Sequence, residues 1–192
     1  MPDSIQIIPA QPANAEVASV LLYSAYTHTQ VTYPLPEEQR QGWIKHLQRY
    51  FWLDGNRFSY QNAYVAEHDS EVVGLVLSFC GRGEMRLNAA VGPWLEREAR
   101  GDEWYVDALA VFTNWGRKGI GARLMQTVER QARQHHYSKI ALHVALGNQR
   151  ALDLYTRLGY VATERDILYD RPHVRMVKAL ADEESAISQI MT

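Results

Sequence analysis

Apolar residues change their spacing several times along this chain, and each change predicts an element. Ile5-Gln6-Ile7-Ile8 reads as a short strand closed by Pro9. Helical spacing follows at Val17, Val20, Leu21 and Ser24, from a start near Asn14, until Tyr33-Pro34-Leu35-Pro36 breaks it. A second helix opens at Pro36-Glu37-Glu38 and carries Trp43, Ile44, Leu47 and Phe51 on one side. Proline and carboxylates suit a first turn, whose N–H groups have no acceptors and whose dipole end is positive. The period then drops to two. Ala63–Glu67, a polar turn at His68-Asp69-Ser70, and Val72–Phe79 predict a β-hairpin.

Arg82–Asp102 is the least patterned stretch, with a short helix expected at Pro93–Glu98. Trp104–Val111 predicts a strand and Thr113–Lys118 a loop. The next helix carries Ile120, Leu124, Met125, Val128 and Ala132 on one face. Ile140–Val144 is a strand, and Ala151, Leu154, Tyr155 and Leu158 mark a short helix. Gly159 stops that helix because glycine accepts a positive φ. Strands near Tyr160–Thr163 and Val174–Val177 finish the pattern. Hairpins give antiparallel pairs and strand–helix–strand crossovers give parallel ones, so the expected class is α/β with a mixed sheet.

Composition narrows the function classes. The 192 residues suit one domain, expected over 1–180, with an acidic tail over 181–192. Lys+Arg 20 against Asp+Glu 22 gives a net charge of −2, with no basic excess to mark a nucleic-acid binder or a polybasic membrane contact. One cysteine, Cys80, allows no intrachain disulfide. Met1-Pro2-Asp3-Ser4 has no signal-peptide pattern, and no apolar run has membrane length, so a cytoplasmic protein is expected.

The chemistry concentrates in Trp115-Gly116-Arg117-Lys118-Gly119-Ile120-Gly121-Ala122, between a strand and a helix. A helix start offers unpaired N–H groups and the positive end of the dipole, and glycines allow a phosphate to approach the backbone. A P-loop needs Gly-Lys followed by Ser or Thr, and the order here is Lys-Gly-Ile. The dinucleotide fingerprint needs a third glycine where Leu124 stands.

The segment resembles the acyl-CoA pyrophosphate loop of the GNAT superfamily of N-acetyltransferases. That loop reads Gln/Arg-x-x-Gly-x-Gly/Ala, and Gly119 and Gly121 match its glycines, whereas Gly116 stands at the Gln/Arg position. Tyr105–Val111 resembles the family's fourth strand. Downstream, Leu142-His143-Val144, Asn148, Ala151, Leu154-Tyr155 and Gly159-Tyr160 resemble its fifth strand and the helix that follows, and Val174–Lys178 its last strand. The good match covers about residues 103–178. It implies a sheet of about seven strands, splayed between the fourth and fifth and flanked by about four helices. Acetyl-CoA, as co-substrate, would lie in the splay. Leu109, Ala110, Val111 and Asn148 would meet the pantetheine arm. Arg117, Lys118, Gly119, Ile120, Gly121 and Ala122 would wrap the pyrophosphate.

The resemblance also makes Tyr155 the general acid of amide formation and a backbone N–H near Leu109 the group that polarises the thioester. For the base, Glu103 and Asp107 are the candidates. They share strand parity, but four residues span about 13 Å, too far to act on one proton together. No His-Glu-x-x-His or paired Cys/His spacing indicates a metal. His143 and Cys80 read as packing or polar support. Residues 23–64 hold ten of the twenty aromatics, and Tyr26, Tyr33, Trp43, Tyr50 and Trp52 are candidates for an acceptor pocket. The expectation is an N-acetyltransferase acting on a primary amine of a small molecule or peptide, with a homodimer possible. The alternative is a GNAT module that senses acyl-CoA without turnover.

Overall fold

The computed structural model describes residues 5–27 and 36–180. The expected tail over 181–192, and Tyr33 of the aromatic set, lie outside them. Strand β1 (Gln6–Pro9) leads to helices α1 (Ala15–Thr27) and α2 (Glu37–Trp52), and then to the hairpin β2 (Ala63–His68) and β3 (Glu71–Cys80). After α3 (Glu84–Ala89) come β4 (Trp104–Val111), α4 (Ile120–Gln134), β5 (Lys139–Ala145), α5 (Gln149–Arg157), β6 (Val161–Leu168) and β7 (Arg171–Ala179). The strands form one seven-stranded sheet in the order β1-β2-β3-β4-β5-β7-β6.

Two cores sandwich the sheet. Leu21 and Leu22 of α1 and Leu47 and Phe51 of α2 pack on Val65, Leu75, Leu77 and Ala108. Leu124, Met125 and Val128 of α4 and Tyr155 of α5 pack on Val76, Val106, Ile140 and Leu142. The helical periodicity of each segment therefore matches the face it buries.

The chain differs from the sequence expectation in Arg82–Asp102. A helix forms at Glu84–Ala89, and Pro93–Glu98 is irregular. The cause is local hydrogen bonding. Glu84 is buried, and its Oε1 accepts the backbone N–H groups of Glu98 (2.8 Å) and Ala99 (3.1 Å). Those donors are turned sideways to a side chain rather than back along a helix.

The pairing of β4 and β5 is parallel and brief. Trp104, Tyr105 and Val106 face Ile140, Ala141 and Leu142, and the register ends there. β4 continues against β3 to Val111, and β5 continues against β7 to Ala145. The two strands thus part in the middle of the sheet. The β3–β4 register also shifts, with Ala108 opposite Leu77, Val106 opposite Ser78 and Asp107 opposite nothing. This bulge breaks the alternation. Asp107 reaches Tyr26 of α1 and Ala108 joins the α1/α2 core, while Leu109 turns to the α4 side. The parity linking Asp107 with Leu109 does not hold.

Candidate active site

A cavity of about 560 Å³ fills the opening between β4 and β5. Val106–Leu109 form one wall, and Leu142–Ala145 with Asn148, Ala151 and Tyr155 form the other. Ala110 and Val111 continue β4 past the lining, half-buried. Asn148 caps α5, its Oδ1 accepting the N–H of Ala151 at 3.1 Å. Tyr155 is buried and its ring meets Tyr160 at 5.7 Å. Burial pushes the Tyr155 phenol above its ordinary value, so it holds its proton at neutral pH.

The glycine loop adjoins this cavity at the start of α4. Gly119 is left-handed at φ +77, and a Cβ there would meet nothing within 4 Å. The first N–H of the helix to find a carbonyl is that of Arg123, which bonds to Gly119 O at 3.1 Å. The N–H groups of Ile120, Gly121 and Ala122 precede it and are those a helix leaves unpaired. At Gly121 a Cβ would lie 3.4 Å from Leu154 Cδ2 and 3.8 Å from Leu109 Cδ2. The helix start thereby sits between Leu109, in one wall of the cavity, and Leu154 of α5. Lys118 places its ammonium 4.2 Å over the Trp115 ring. At Gly116, a Cβ would stand 2.7 Å from the Nη2 of Arg150. The space of the side chain missing from Gly116 is filled by a guanidinium from the first turn of α5.

The end of the cavity nearest α1 and α2 is aromatic. Trp94 lies 5.9 Å from Trp43 and 6.4 Å from Phe58, and Phe58 lies 5.8 Å from Tyr26. All four line the cavity. Of the other expected aromatics, Tyr50 packs behind Phe58 and bonds to Val91 O, and Trp52 is exposed.

The two carboxylates proposed as bases differ from that expectation. Glu103 does not line the cavity. It is wholly buried, paired with Arg175, and accepts the backbone N–H of Arg100 at 2.9 Å. Glu103 stands as the structural partner of Arg175, away from the cavity. Asp107 does line the cavity, but Arg57 donates to it through Nε (3.1 Å) and Nη2 (2.5 Å), and Tyr26 through its hydroxyl (2.8 Å). Its carboxylate already accepts three hydrogen bonds, which leaves little of it free to face a substrate. Burial raises the Asp107 carboxyl above its ordinary value, against the pull of Arg57.

Arg57 is the centre that sequence reasoning missed. It is 2% exposed and also donates to Glu98 Oε1 at 2.5 Å and Asn88 Oδ1 at 3.3 Å. Nothing in Asn56-Arg57-Phe58 signals this, because its partners come from α3, the irregular segment and β4.

A second polar line leaves the cavity. The Tyr105 hydroxyl is 2.8 Å from Glu98 Oε2 and 2.9 Å from His143 Nδ1, and His143 Nε2 is 2.9 Å from Asp166 Oδ2. Glu98 and His143 line both the cavity and an outer groove of about 630 Å³, where Asp166 and Arg175 also lie. Among the described residues, no group of three or more His, Cys, Asp or Glu side chains is placed to hold a metal ion, and no helix is long and apolar enough to cross a membrane.

A sheet opened between parallel neighbours, with a glycine-bearing helix start beside the opening, is the architecture of an acyl-transfer fold. The chain belongs to the acetyltransferase (GNAT) family, whose model matches residues 22–160. No curated protein gives a significant match. Solved structures share the fold. An N-acetyltransferase from Staphylococcus aureus Mu50 aligns at TM-score 0.75 and 22% identity, over 90% of this chain and 100% of that one. The PaiA N-acetyltransferase from Thermoplasma acidophilum, in complex with coenzyme A, aligns at TM-score 0.65 and 16% identity, over 92% and 99%. The ribosomal-protein-S18-alanine N-acetyltransferase from Escherichia coli aligns at 0.60 and 14%, over 94% and 97%.

Proposed function

We propose that this protein transfers an acetyl group from acetyl-CoA directly to a primary amine, of a small molecule or a peptide. The observation that carries the reading is the cavity itself. The parting of β4 from β5 exposes strand backbone to a ligand, with Tyr155 in one wall and the glycine-bearing helix start packed beside Leu109 of the other. The pyrophosphate of acetyl-CoA would sit on the N–H groups of Ile120, Gly121 and Ala122, with Arg117, Lys118 and Arg150 supplying charge. Arg150 takes the place of the side chain that Gly116 lacks. The pantetheine arm would run along Leu109–Val111 and past Asn148.

With the thioester at the bulge, a backbone N–H beside Leu109 polarises its carbonyl oxygen. The amine nitrogen attacks the carbonyl carbon, the C–S bond breaks, Tyr155 gives its proton to the departing sulfur, and the proton shed by the new amide nitrogen returns through water to the Tyr155 oxygen. The raised phenol pKa does not oppose this, because the same dry wall raises the basicity of the thiolate. The aromatic end formed by Tyr26, Trp43, Phe58 and Trp94 would hold the body of the acceptor.

The test combines calorimetric titration of CoA with thiol release from acetyl-CoA. The amines are ethanolamine, lysine, spermidine, phenethylamine and an alanine-start tetrapeptide. CoA binding with amine-dependent thiol release and an acetylated product supports the reading. Binding with no turnover on any amine supports the sensing alternative. Absence of CoA binding removes both.

A further inference from the structure

We propose that Tyr105 and His143 form a relay that takes the ammonium proton of the acceptor in the cavity and passes it to Asp166 in the outer groove. The proposal rests on the amine-acetylating reading of the site.

The argument is a count of protons. Three contacts join Glu98, Tyr105, His143 and Asp166 end to end, at 2.8, 2.9 and 2.9 Å. Each is a hydrogen bond only if a proton lies in it. The phenol supplies one proton and a neutral imidazole supplies one more. With both carboxylates ionised, one of the three contacts sets two lone pairs face to face at less than 3 Å. An added proton completes the chain, because an imidazolium donates from both nitrogens. Tyr105 then gives its proton to Glu98, His143 Nδ1–H bonds to Tyr105, and Nε2–H bonds to Asp166. The line is built to accept one proton.

The surroundings favour the state that lacks it. Burial draws His143 below the ordinary imidazole value and Arg175 of β7 adds to this, while Asp166 of β6 and Glu98 of the irregular segment oppose it. Near neutrality the imidazole is therefore neutral and the chain is one proton short. Tyr105 is pushed well above its ordinary value, first by burial and then by Glu98 and Asp107, against Arg57. It hands protons on without resting as a phenolate. The far oxygen of Glu98 is already taken by Arg57 Nη2 and by the Tyr169 hydroxyl.

The transfer balances. The ammonium N–H bond breaks and its proton goes to the Tyr105 oxygen, directly or through one water. The phenol O–H bond breaks in the same event, and that proton goes to His143 Nδ1. The electron pair stays on the acceptor nitrogen, which can now attack the thioester. The imidazolium releases a proton to Asp166, whose side chain is 36% exposed, and so to water in the groove. This leaves the Nδ1–H imidazole, which returns to the Nε2–H form before the next turnover by losing its Nδ1 proton to cavity water as Nε2 takes one from the groove. Neither Asp107, with its three donors, nor Glu103, outside the cavity, offers such an exit.

The test measures kcat/KM for the fastest amine of the panel between pH 5 and 9, at saturating acetyl-CoA, with CoA titrated separately. In the wild type, kcat/KM should fall on an ionisation below pH 6.5. Tyr105→Phe and His143→Gln should each bind CoA normally, lose about 10²-fold in kcat/KM at pH 7, and lose that ionisation. Their rates should then rise tenfold per pH unit as solvent takes over. A uniform loss with the ionisation retained in both variants would mean packing alone and overturn the proposal. If Tyr105→Phe does not fold, His143→Gln decides by the same criterion. Nitrogen NMR of His143 gives a readout free of turnover: Asp166→Asn should move its titration further down, and an unmoved titration would also overturn the relay.

Discussion

Replacing Arg57 with methionine keeps the length and apolar stem of the side chain and removes the guanidinium. In the wild type that group satisfies Asp107 twice and Glu98 once, with Nη1 3.6 Å from Glu84. Arg57 and Glu84 are 2% and 1% exposed, and the side chains of Asp107 and Glu98 are 1% and 9% exposed, so the lost donors leave carboxylates with little access to water. Breaking one side of such a buried pair costs about 3–5 kcal/mol. A domain of this size has about 5–15 kcal/mol in total and moves roughly 2–4 °C per kcal/mol. The expected fall in Tm is therefore roughly 6–20 °C. The loss should depend on pH with a defined sign. Burial already holds the Asp107 carboxyl above its ordinary value, and without Arg57 the opposing pull is gone. A carboxyl whose folded pKa exceeds its unfolded one binds protons in the native state, so the penalty is full above the folded pKa and shrinks as pH falls through it. Thermal unfolding at pH 5 and pH 8 should show the smaller deficit at pH 5. Adding Asp107→Asn should recover part of the loss at pH 8. A fall of under 2 °C, equal at both pH values, would refute the view that Arg57 compensates a buried acidic centre.

Tyr155→Phe removes only the hydroxyl and keeps the ring contact with Tyr160. Stability and CoA affinity should stay within about 1 kcal/mol, while turnover under chemistry-limited conditions falls about 10²-fold. Gly121→Glu should leave a folded domain, because a carboxylate suits a helix start. It should abolish CoA binding in a calorimetric titration, because like charge occupies the phosphate position. Arg150→Ala should raise the Kd for CoA about 5- to 10-fold at low salt and less at high salt, as expected of an exposed charge contact. An unchanged Kd would return Arg150 to a filler beside Gly116.

Much of the fold could be read along the chain because each element carries its own period. The apolar stripe of α4 and the alternation of β2 and β3 are local facts, and both appear where spacing put them. The cavity-wall positions of Asn148 and Tyr155 were also legible, through the motif around α5. The polar network was not. Arg57 meets Asp107 from 50 positions away, and His143 meets Asp166 from 23. No periodicity links such residues; only the folded sheet does. The bulge at Asp107 was equally hidden, since an inserted residue leaves no compositional mark and yet reverses the side that every later residue of the strand faces. Reading β4 as regular misplaced Asp107 relative to Leu109, whereas Glu103 shares the parity of Asp107 and differs because it pairs with the distant Arg175 away from the cavity.

The parting of β4 and β5 also bears on how the protein avoids sticking to itself. An unpaired strand edge invites another chain to add to it, and sheets usually expose such edges only at their periphery. Here two further edges, Asp107–Val111 and His143–Ala145, lie in the middle of the sheet and face each other. Pairing three residues back holds them too close at the apex for another strand to enter. The side chains of α5 close one flank and the aromatics of α2 and the irregular segment crowd the other. A slender molecule can slide between those edges, whereas a polypeptide with side chains on both faces cannot. The protein can thus keep backbone hydrogen-bonding capacity open for a ligand without presenting a template for aggregation.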